Sequence, residues 1–391
     1  MTSTSILKDK RLYGIFGITL IAVMGVASIA PALPQIAESL SLSKHQVGLL
    51  ISAFTLPGVF LTPFAGVVAD RMGRKFILVP ALFLFATAGF AIFFVHDFKI
   101  ILALRVLQGA GAAPLGSLNT TLVGDFFKGK QLPQAMGYNA GVLSLATASY
   151  PLLGGLLAGI AWYYPFAMPL LALPVGLFII FGIKEPNIEK PSSLKLYLRS
   201  FSKSIIRKEV IAIFIIGTLT FIILYGNFLT YIPFIIKQKF DLSAPQIGMM
   251  LSLSSLATVF VAANVGKLTQ KFGSLNLLKT AFLLFMATNI ILPFVNNLYL
   301  FIIPVIMFGM AMALNMPSLQ TVLTKLAPND QRGAFMSING WVIRLGQTIG
   351  PLIIGIGYTF HGYFGAYFLG ALVALAGLVV LFTMIQKDKI E

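Results

Sequence analysis

The sequence contains no cysteine, few acidic residues and few histidines. The absence of cysteine excludes disulfides, thiol catalysis and cysteine-ligated metal sites. Only 12 of the 391 residues are Asp or Glu and 3 are His. No nucleophile with a neighbouring base, no metal-ligating cluster and no phosphate-binding loop is recognisable. We therefore expect neither an enzyme nor a cofactor or metal site.

Charge of either sign is scarce, whereas apolar residues are abundant. Charged residues make up 10% and hydrophobic residues 58% of the chain, against roughly 25% charged residues in a typical soluble domain. Six runs fit one membrane crossing of about 20 residues, namely 12–37, 45–69, 76–96, 100–124, 210–236 and 242–266. Three longer runs, 131–183, 280–324 and 333–386, fit two crossings each, with breaks at 162–165, 296–297 and 361–362. The sequence predicts an all-α membrane protein with 12 transmembrane helices.

The basic residues lie mainly on one side of these spans. Of the 28 Lys and Arg residues, 22 flank the spans on the side of the termini, 4 lie on the other side, and Arg105 and Arg344 fall within spans. Basic loops face the cytoplasm, so both termini are expected there, in a bacterial inner membrane. The net charge of +16 then suits anionic membrane lipids rather than nucleic acid.

The chain repeats itself at an offset of 200 residues. Leu42, Ser43, Gln46 and Gly48 recur as Leu242, Ser243, Gln246 and Gly248. The same offset pairs residues in spans 2, 4, 5, 8, 10 and 11, including Gly109 with Gly309, Asn139 with Asn339, and Pro151 with Pro351. Because six spans form each unit, the two units enter the membrane in the same sense. We predict two pseudo-symmetric six-helix bundles, 1–183 and 209–391, joined by a basic segment, 184–208, that is either a helix on the membrane surface or a solvated tether.

The segment GVVADRMGRKF, residues 66–76, places charges between spans 2 and 3. Asp70 ends span 2, where the negative end of the helix dipole disfavours a carboxylate. A compensating partner is therefore expected, either a neighbouring basic residue or the positive end of another helix. The residues that would form such a conformational latch are Gly66, Asp70, Arg71, Gly73, Arg74 and Lys75.

Three segments resemble signatures of the major facilitator superfamily, in particular its twelve-span drug/proton antiporter branch. The first is the loop just described, and the second is ALRVLQGAGAA in span 4, with Arg105, Gln108, Gly109 and Gly111. The third is SYPLLGG in span 5, where Pro151, Gly154 and Gly155 match the antiporter motif, Tyr150 replaces its glycine and Gly141 stands upstream. The resemblance implies alternating access by two rocking bundles, with the loop acid holding one side closed.

The resemblance also implies which spans face the substrate. Spans 1, 4, 7 and 10 line the cavity in that family, which nominates Met24, Ser28, Asn119, Tyr225, Asn227, Met312, Asn315 and Met316. Because a lone charge within a span is costly, Arg105 and Arg344 are expected in the cavity or a coupling network, although Arg344 matches no family signature and Arg105 could instead bind backbone carbonyls where spans 1 and 4 meet.

The predicted function is export of small amphiphilic molecules by a monomer, with protons as a candidate coupling ion. No acid falls in the middle of a span, which is unfavourable for proton antiport and for cationic substrates. An organic-anion carrier or facilitator therefore remains an alternative, and a non-transporting membrane receptor is a remote one.

Overall fold

The computed structural model describes residues 6–185, 207–328 and 332–385, and its regular structure within these ranges is helical throughout. The helices of the first half are α1 Lys10–Ser39, α2 Lys44–Met72, α3 Arg74–Phe94, α4 Phe98–Phe126, α5 Gln131–Ala158 and α6 Tyr164–Gly182. Those of the second half are α7 Lys208–Phe240, α8 Ala244–Ala262, α9 Ser274–Phe294, α10 Leu298–Leu326, α11 332–360 and α12 363–383. Each is long and apolar enough to cross a membrane, so the protein is a multi-pass membrane protein of the predicted class.

The last two helices meet at a sharp break in the backbone. His361 has φ −137° and ψ 26°, and Gly362 has φ 60° and ψ −145°. A positive φ of this kind is readily adopted by glycine, which has no Cβ. The predicted break at 361–362 is confirmed, and it divides the long apolar run into two crossings.

The repeat predicted from the sequence reappears in the local structure of the helix ends. Ser43 and Gln46 form a reciprocal capping box at the start of α2, and Ser243 and Gln246 form one at the start of α8. Such boxes satisfy amide groups that a helix N-terminus leaves unpaired. Gly73, with φ 102°, ends α2 before the sharp turn into α3. Equivalent sequence positions therefore direct the chain in the same way in both halves.

The packing within each half follows the same repeat. In the first half α2 and α3 pack on α4, and α1 packs on α5; in the second half α8 and α9 pack on α10, and α7 packs on α11. A Cβ at Gly109 would lie 1.9 Å from the carbonyl oxygen of Phe54, and one at Gly309 would lie 2.1 Å from that of Ser254. Glycine thus allows the backbones of α4 and α2, and of α10 and α8, to touch at matching positions.

Three helices depart from the predicted spans. α1 contains a 3-10 turn, Ala30–Ala32, which includes Pro31. α7 is π-helical over Ile223–Tyr231. The predicted run 242–266 is interrupted, because α8 stops at Ala262 and a short amphipathic helix, Val265–Phe272, follows. The boundary segment 184–208 falls largely outside the described residues, so the division into two bundles at that segment stays a prediction.

Candidate functional site between the two halves

The two halves meet through α2 with α11 and through α5 with α8. On α2 the contacts begin near its start, where a Cβ at Gly48 would lie 3.4 Å from Pro351. Ser52 donates a hydrogen bond to the carbonyl of Thr348 at 2.8 Å. Gly66 lies eighteen residues, or about five helical turns, beyond Gly48 and therefore on the same face of α2. A Cβ at Gly66 would meet nothing within 4 Å. The α2–α11 contact continues as far as Thr62, where a Cβ at Gly340 would lie 3.8 Å from its methyl group, and open space begins at Gly66.

The α5–α8 contact opens in the same direction. A Cβ at Gly248 would lie 2.3 Å from the carbonyl oxygen of Pro151, and one at Gly155 would lie 2.5 Å from that of Ala244. Along the same face of α5, Gly141 and Gly137 have nothing within 4 Å of a built Cβ. These positions lie four to five turns from Gly155.

Together these contacts give a wedge-shaped opening between the halves. The halves touch near residues 155 and 248 and from residues 48 and 351 to residues 62 and 340, and open space appears at residues 66 and 137–141. We call the open end the terminus side, because α1 begins and α12 ends there, and the closed end the opposite side. The structure thus represents a conformation that is open on the terminus side.

Arg344 lies on α11 beside this opening. Its Nη1 donates a hydrogen bond to Oε1 of Gln347 at 3.1 Å. A Cβ at Gly58 of α2 would lie 2.8 Å from its Cδ, and a Cβ at Gly116 of α4 would lie 4.0 Å from its Nη2. Tyr225 of α7 is close enough to interact with it electrostatically. Arg344 thus contacts helices of both halves, and it keeps some accessible surface.

Arg105 occupies a different environment, inside the first half. It has no exposed surface. Its Nη1 donates to the carbonyl of Gly25 at 2.9 Å and to Oε1 of Gln108 at 2.7 Å, and its Nε donates to the carbonyl of Leu50 at 3.1 Å. The guanidinium carbon lies 4.3 Å from the centre of the Phe54 ring. The arrangement links α1, α2 and α4 and corresponds to the carbonyl-binding alternative rather than to an open cavity position.

This geometry predicts different outcomes for two substitutions of Arg105. Arg105→Met fills similar volume without a charge, and replacing buried ionic groups by apolar ones is often tolerated. Arg105→Lys keeps a charge that cannot reproduce the planar set of donors. We expect the lysine variant to lose about 3 kcal/mol of stability, on the scale of a broken buried charge contact, and the methionine variant to lose less. Thermal unfolding in detergent measures both; a lysine variant as stable as wild type would contradict the carbonyl-linking role.

The loop between α2 and α3 is held by acids of its own half. Arg74 is buried, and its Nε lies 3.0 Å from Oδ2 of Asp125 at the end of α4. Glu185, just after α6, accepts hydrogen bonds from the backbone amides of Arg74 and Lys75. The sequence did not identify Asp125 and Glu185 as partners of this loop, although both are among the few acidic residues of the chain and lie near the ends of spans.

The other predicted latch residues take varied positions. Arg71 is exposed, and the ammonium group of Lys75 donates to the carbonyl of Ile180 at 3.0 Å. Gly73 packs against Glu185. The side chain of Asp70 lies outside what the structure describes, and Gly66 has no close neighbour. The contact between Asp70 and another helix stays a prediction.

Polar side chains form a network in each half. In the first half Asn119 donates to Thr19 at 2.7 Å, Thr19 donates to Asn139 at 2.5 Å, and Asn139 donates to Asn119 at 2.9 Å. In the second half Thr220 donates to Asn315 at 3.2 Å. There, Nδ2 of Asn315 and Oδ1 of Asn339 are buried and have no hydrogen-bond partner among the described residues. Asn119 and Asn315 are thus buried among polar partners of their own half, and their contact with a substrate stays a prediction.

The remaining cavity candidates are only partly at the opening. Met24 and Ser28 are buried, and the hydroxyl of Ser28 donates to the carbonyl of Met24 at 2.7 Å. Asn227 donates to the carbonyl of Ala366 in α12 at 3.0 Å, which gives it a partner within its own half. Tyr225 interacts electrostatically with Arg344, and Met312 and Met316 are half-buried.

The π-helical stretch of α7 carries both Tyr225 and Asn227. Thr230 donates to the carbonyl of Tyr225, five residues earlier, at 2.6 Å. Such stretches are rare in proteins and are frequent at functional sites. No periodicity in the sequence signals this change of helix type.

The signature glycines of α4 and α5 pack closely against backbone. A Cβ at Gly111 would lie 2.6 Å from the carbonyl oxygen of Ala81 in α3. A Cβ at Gly154 would lie 1.8 Å from that of Ser28 in α1. Gly154 therefore ties α5 to α1, while Pro151 and Gly155 contact α8 in the other half.

On the opposite side, a pocket of about 380 Å³ lies between the ends of α1 and α7. It is lined by Glu38 of α1 and Lys237 of α7, among others. Lys237 also donates a hydrogen bond to Asp241 at 2.6 Å, which holds the pKa of this carboxyl below its usual value. Glu38 and Lys237 attract each other electrostatically across the halves, which favours the closed arrangement on this side.

Comparisons with known proteins agree with this architecture. The sequence profile described as Major Facilitator Superfamily matches residues 15–243 and 214–390. Multidrug resistance protein 2 of Bacillus subtilis is 28% identical over 94% of this chain and 93% of its own. The Bacillibactin exporter of the same species is 26% identical, covering 98% of each chain.

A solved structure shares the fold. The crystal structure of nucleoside transporter NupG, determined for a mutant of that protein, superposes with a TM-score of 0.77 at 13% identity, covering 96% of this chain and 100% of that one.

Proposed function

The chain belongs to the major facilitator superfamily, and on this premise we propose that it is an exporter of small amphiphilic molecules in a bacterial inner membrane. The observation that carries this proposal is the wedge-shaped opening between the halves. The halves are in contact at residues 48, 155, 248 and 351, and there is open space beside residues 66, 137 and 141. A pair of bundles joined along one side can open on the other by a change of tilt. Such a change delivers a bound molecule from one face of the membrane to the other.

The direction of export rests on the orientation of the chain. The terminus side carries 22 of the 28 basic residues, and basic loops favour the cytoplasm. The conformation described here then takes up its cargo from the cytoplasm. The curated relatives named as a multidrug resistance protein and an exporter favour outward transport of this cargo.

Small contact surfaces suit repeated opening and closing. Between α5 and α8, glycine and backbone carbonyls make much of the contact, and between α2 and α11 Ser52, Thr55 and Thr348 add hydrogen bonds. Each such bond contributes only about 1 kcal/mol net. When no single contact dominates the free-energy difference between two conformations, binding of a ligand can shift their populations.

Transport is tested by flux through reconstituted protein. Proteoliposomes are loaded with carboxyfluorescein, a neutral dye or rhodamine 123, which represent an anion, an uncharged molecule and a cation. We expect protein-dependent movement of at least one dye, several-fold above protein-free vesicles. The absence of movement for all three, with the folded state verified, would favour a non-transporting receptor.

The same assay under an imposed pH gradient determines the driving force. Accumulation that follows the gradient indicates proton antiport, and flux independent of pH indicates a facilitator. Within the described ranges, acids lie near helix ends, as with Glu38, Asp125 and the buried Glu209. These are the groups to substitute if the gradient drives transport.

A further inference from the structure

We infer that Arg344 binds an anionic group, such as a carboxylate or phosphate, on the molecule that the protein carries. The inference rests on the proposed transport function and adds the charge of the cargo to it. It concerns Arg344, which is hydrogen-bonded to Gln347 at the opening between the halves.

The guanidinium of Arg344 has donors to spare. A guanidinium carries five N–H donors, and within the described chain the side chain of Arg344 donates to Gln347. No Asp or Glu among the described residues forms an ion pair with it; the pairs found there join Arg11 to Asp9, Arg74 to Asp125 and Lys237 to Asp241. A charge within a spanning helix is costly unless it meets a partner or water. An anion that enters the opening would therefore find guanidinium N–H groups of Arg344 without an acceptor.

The surroundings leave room for a ligand. Gly58 of α2 is buried against the stem of Arg344, whereas Gly116 of α4 lies beside the end of the guanidinium and has no side chain to fill the space there. Gly116 is exposed. Because Gly116 faces Arg344 of the other half, its exposed surface belongs to the opening rather than to the outer wall of the bundle. A planar carboxylate could therefore approach the guanidinium in the bidentate geometry that such pairs favour.

Arg105 also has a donor without a partner among the described residues, Nη2, but that atom is buried inside the first half. Its side chain is fully buried and binds the carbonyls of Gly25 and Leu50 within the first half. The sequence contains two arginines within spans, but only the one on α11 lies beside the opening. The acids of the described chain lie towards helix ends, so none offsets the positive charge of Arg344 at this depth.

The chain provides its own reporter for this site. It has two tryptophans, Trp162 and Trp341. Trp341 precedes Arg344 by three residues on α11, which places both on neighbouring positions of one helix face, and it is 37% exposed. Trp162→Phe leaves Trp341 as the single tryptophan, so a change in fluorescence reports binding near Arg344.

The test uses three probes with the same cyclohexyl group, similar size and different charge: cyclohexanecarboxylate, cyclohexylmethanol and cyclohexylmethylammonium. They are titrated into Trp162→Phe protein in nanodiscs while the emission of Trp341 is recorded. We expect the carboxylate to bind about ten- to a hundredfold more tightly than the other two, the ratio that a charge-assisted hydrogen bond provides. Arg344→Gln should abolish this preference, and Arg344→Lys should keep part of it.

Controls separate the possible failures. Lys130→Gln removes one exposed positive charge just before α5 and should leave all three affinities unchanged; thermal unfolding verifies that each variant is folded. Equal binding of the ammonium and the carboxylate, or an unchanged preference in folded Arg344→Gln, would overturn the inference. Dye flux without preference for anions would overturn it too while leaving the transport function intact, whereas anion binding without any flux would contradict the transport function alone.

Discussion

Gly248→Leu is expected to stop transport while leaving both bundles folded. A Cβ at Gly248 would lie 2.3 Å from the carbonyl oxygen of Pro151 across the α5–α8 contact, and backbone cannot move aside as a flexible side chain can. The leucine would therefore hold the halves apart on the opposite side. Shifting a two-state equilibrium from 99:1 to 1:99 takes about 5.5 kcal/mol, and an overlap of this size is on that scale. We expect dye flux to fall about a hundredfold.

A reciprocal substitution serves as the matched control. Gly141→Leu adds the same side chain to the facing surface of α5, where nothing lies within 4 Å of a built Cβ. This variant should retain the conformation described here and resist closure of the terminus side. The two variants should therefore trap opposite states, although the amino-acid change is the same.

The natural absence of cysteine makes these states easy to distinguish. Single cysteines at Gly48 and Gly66 report the two ends of the same face of α2. In Gly248→Leu we expect maleimide to label position 48 faster and position 66 more slowly than in the otherwise wild-type chain; Gly141→Leu should do the reverse. Unchanged labelling together with normal flux would show that the α5–α8 contact does not govern the opposite side.

Gly154→Ala should cause the largest loss of stability. A Cβ at this position would lie 1.8 Å from the carbonyl oxygen of Ser28, and both groups are buried within the first half. Overpacking of this kind typically costs about 1–3 kcal/mol and more where backbone must shift, and here α1 and α5 would have to separate. We expect a loss of at least about 3 kcal/mol, at the upper end of that range.

The control lies on the same helix. Gly141→Ala meets no atom within 4 Å, and alanine favours a helix over glycine by about 1 kcal/mol. Thermal unfolding in detergent should therefore place Gly141→Ala at or above wild type and Gly154→Ala well below it. Equal melting temperatures for the two variants would mean that α1 and α5 do not pack as described.

Much of the fold was predictable because membrane crossing imposes simple requirements on sequence. The length of the apolar runs gave the twelve helices, and the 200-residue offset located matching features such as the capping boxes at Ser43 and Ser243. The helices and the capping boxes can be predicted because they depend on residues close together in the sequence or on a repeated pattern. The break at Gly362 likewise coincides with a local residue type that permits it.

The candidate site was less predictable because it depends on which helices meet. Arg105 and Arg344 are alike as isolated charges within apolar runs, yet one is enclosed by α1, α2 and α4 and the other faces the partner half. Asn227 lies in a cavity-lining span but turns towards α12. The partners of Arg74 were missed because Asp125 and Glu185 lie about 50 and 110 residues away along the chain.

The polar networks of the two halves imply an unequal division of stiffness. In the first half, Thr19, Asn119 and Asn139 complete one another's hydrogen bonds. In the second, Asn315 and Asn339 keep unpaired polar atoms, and α7, which meets them at Thr220 and Gly217, becomes π-helical a few residues further on, at Ile223–Tyr231. A saturated network makes its surroundings rigid, whereas unpaired buried side chains gain hydrogen bonds when they rearrange. We therefore expect the first half to keep its conformation during transport. The second half should change its side-chain and helix conformation to fit cargoes of different shape.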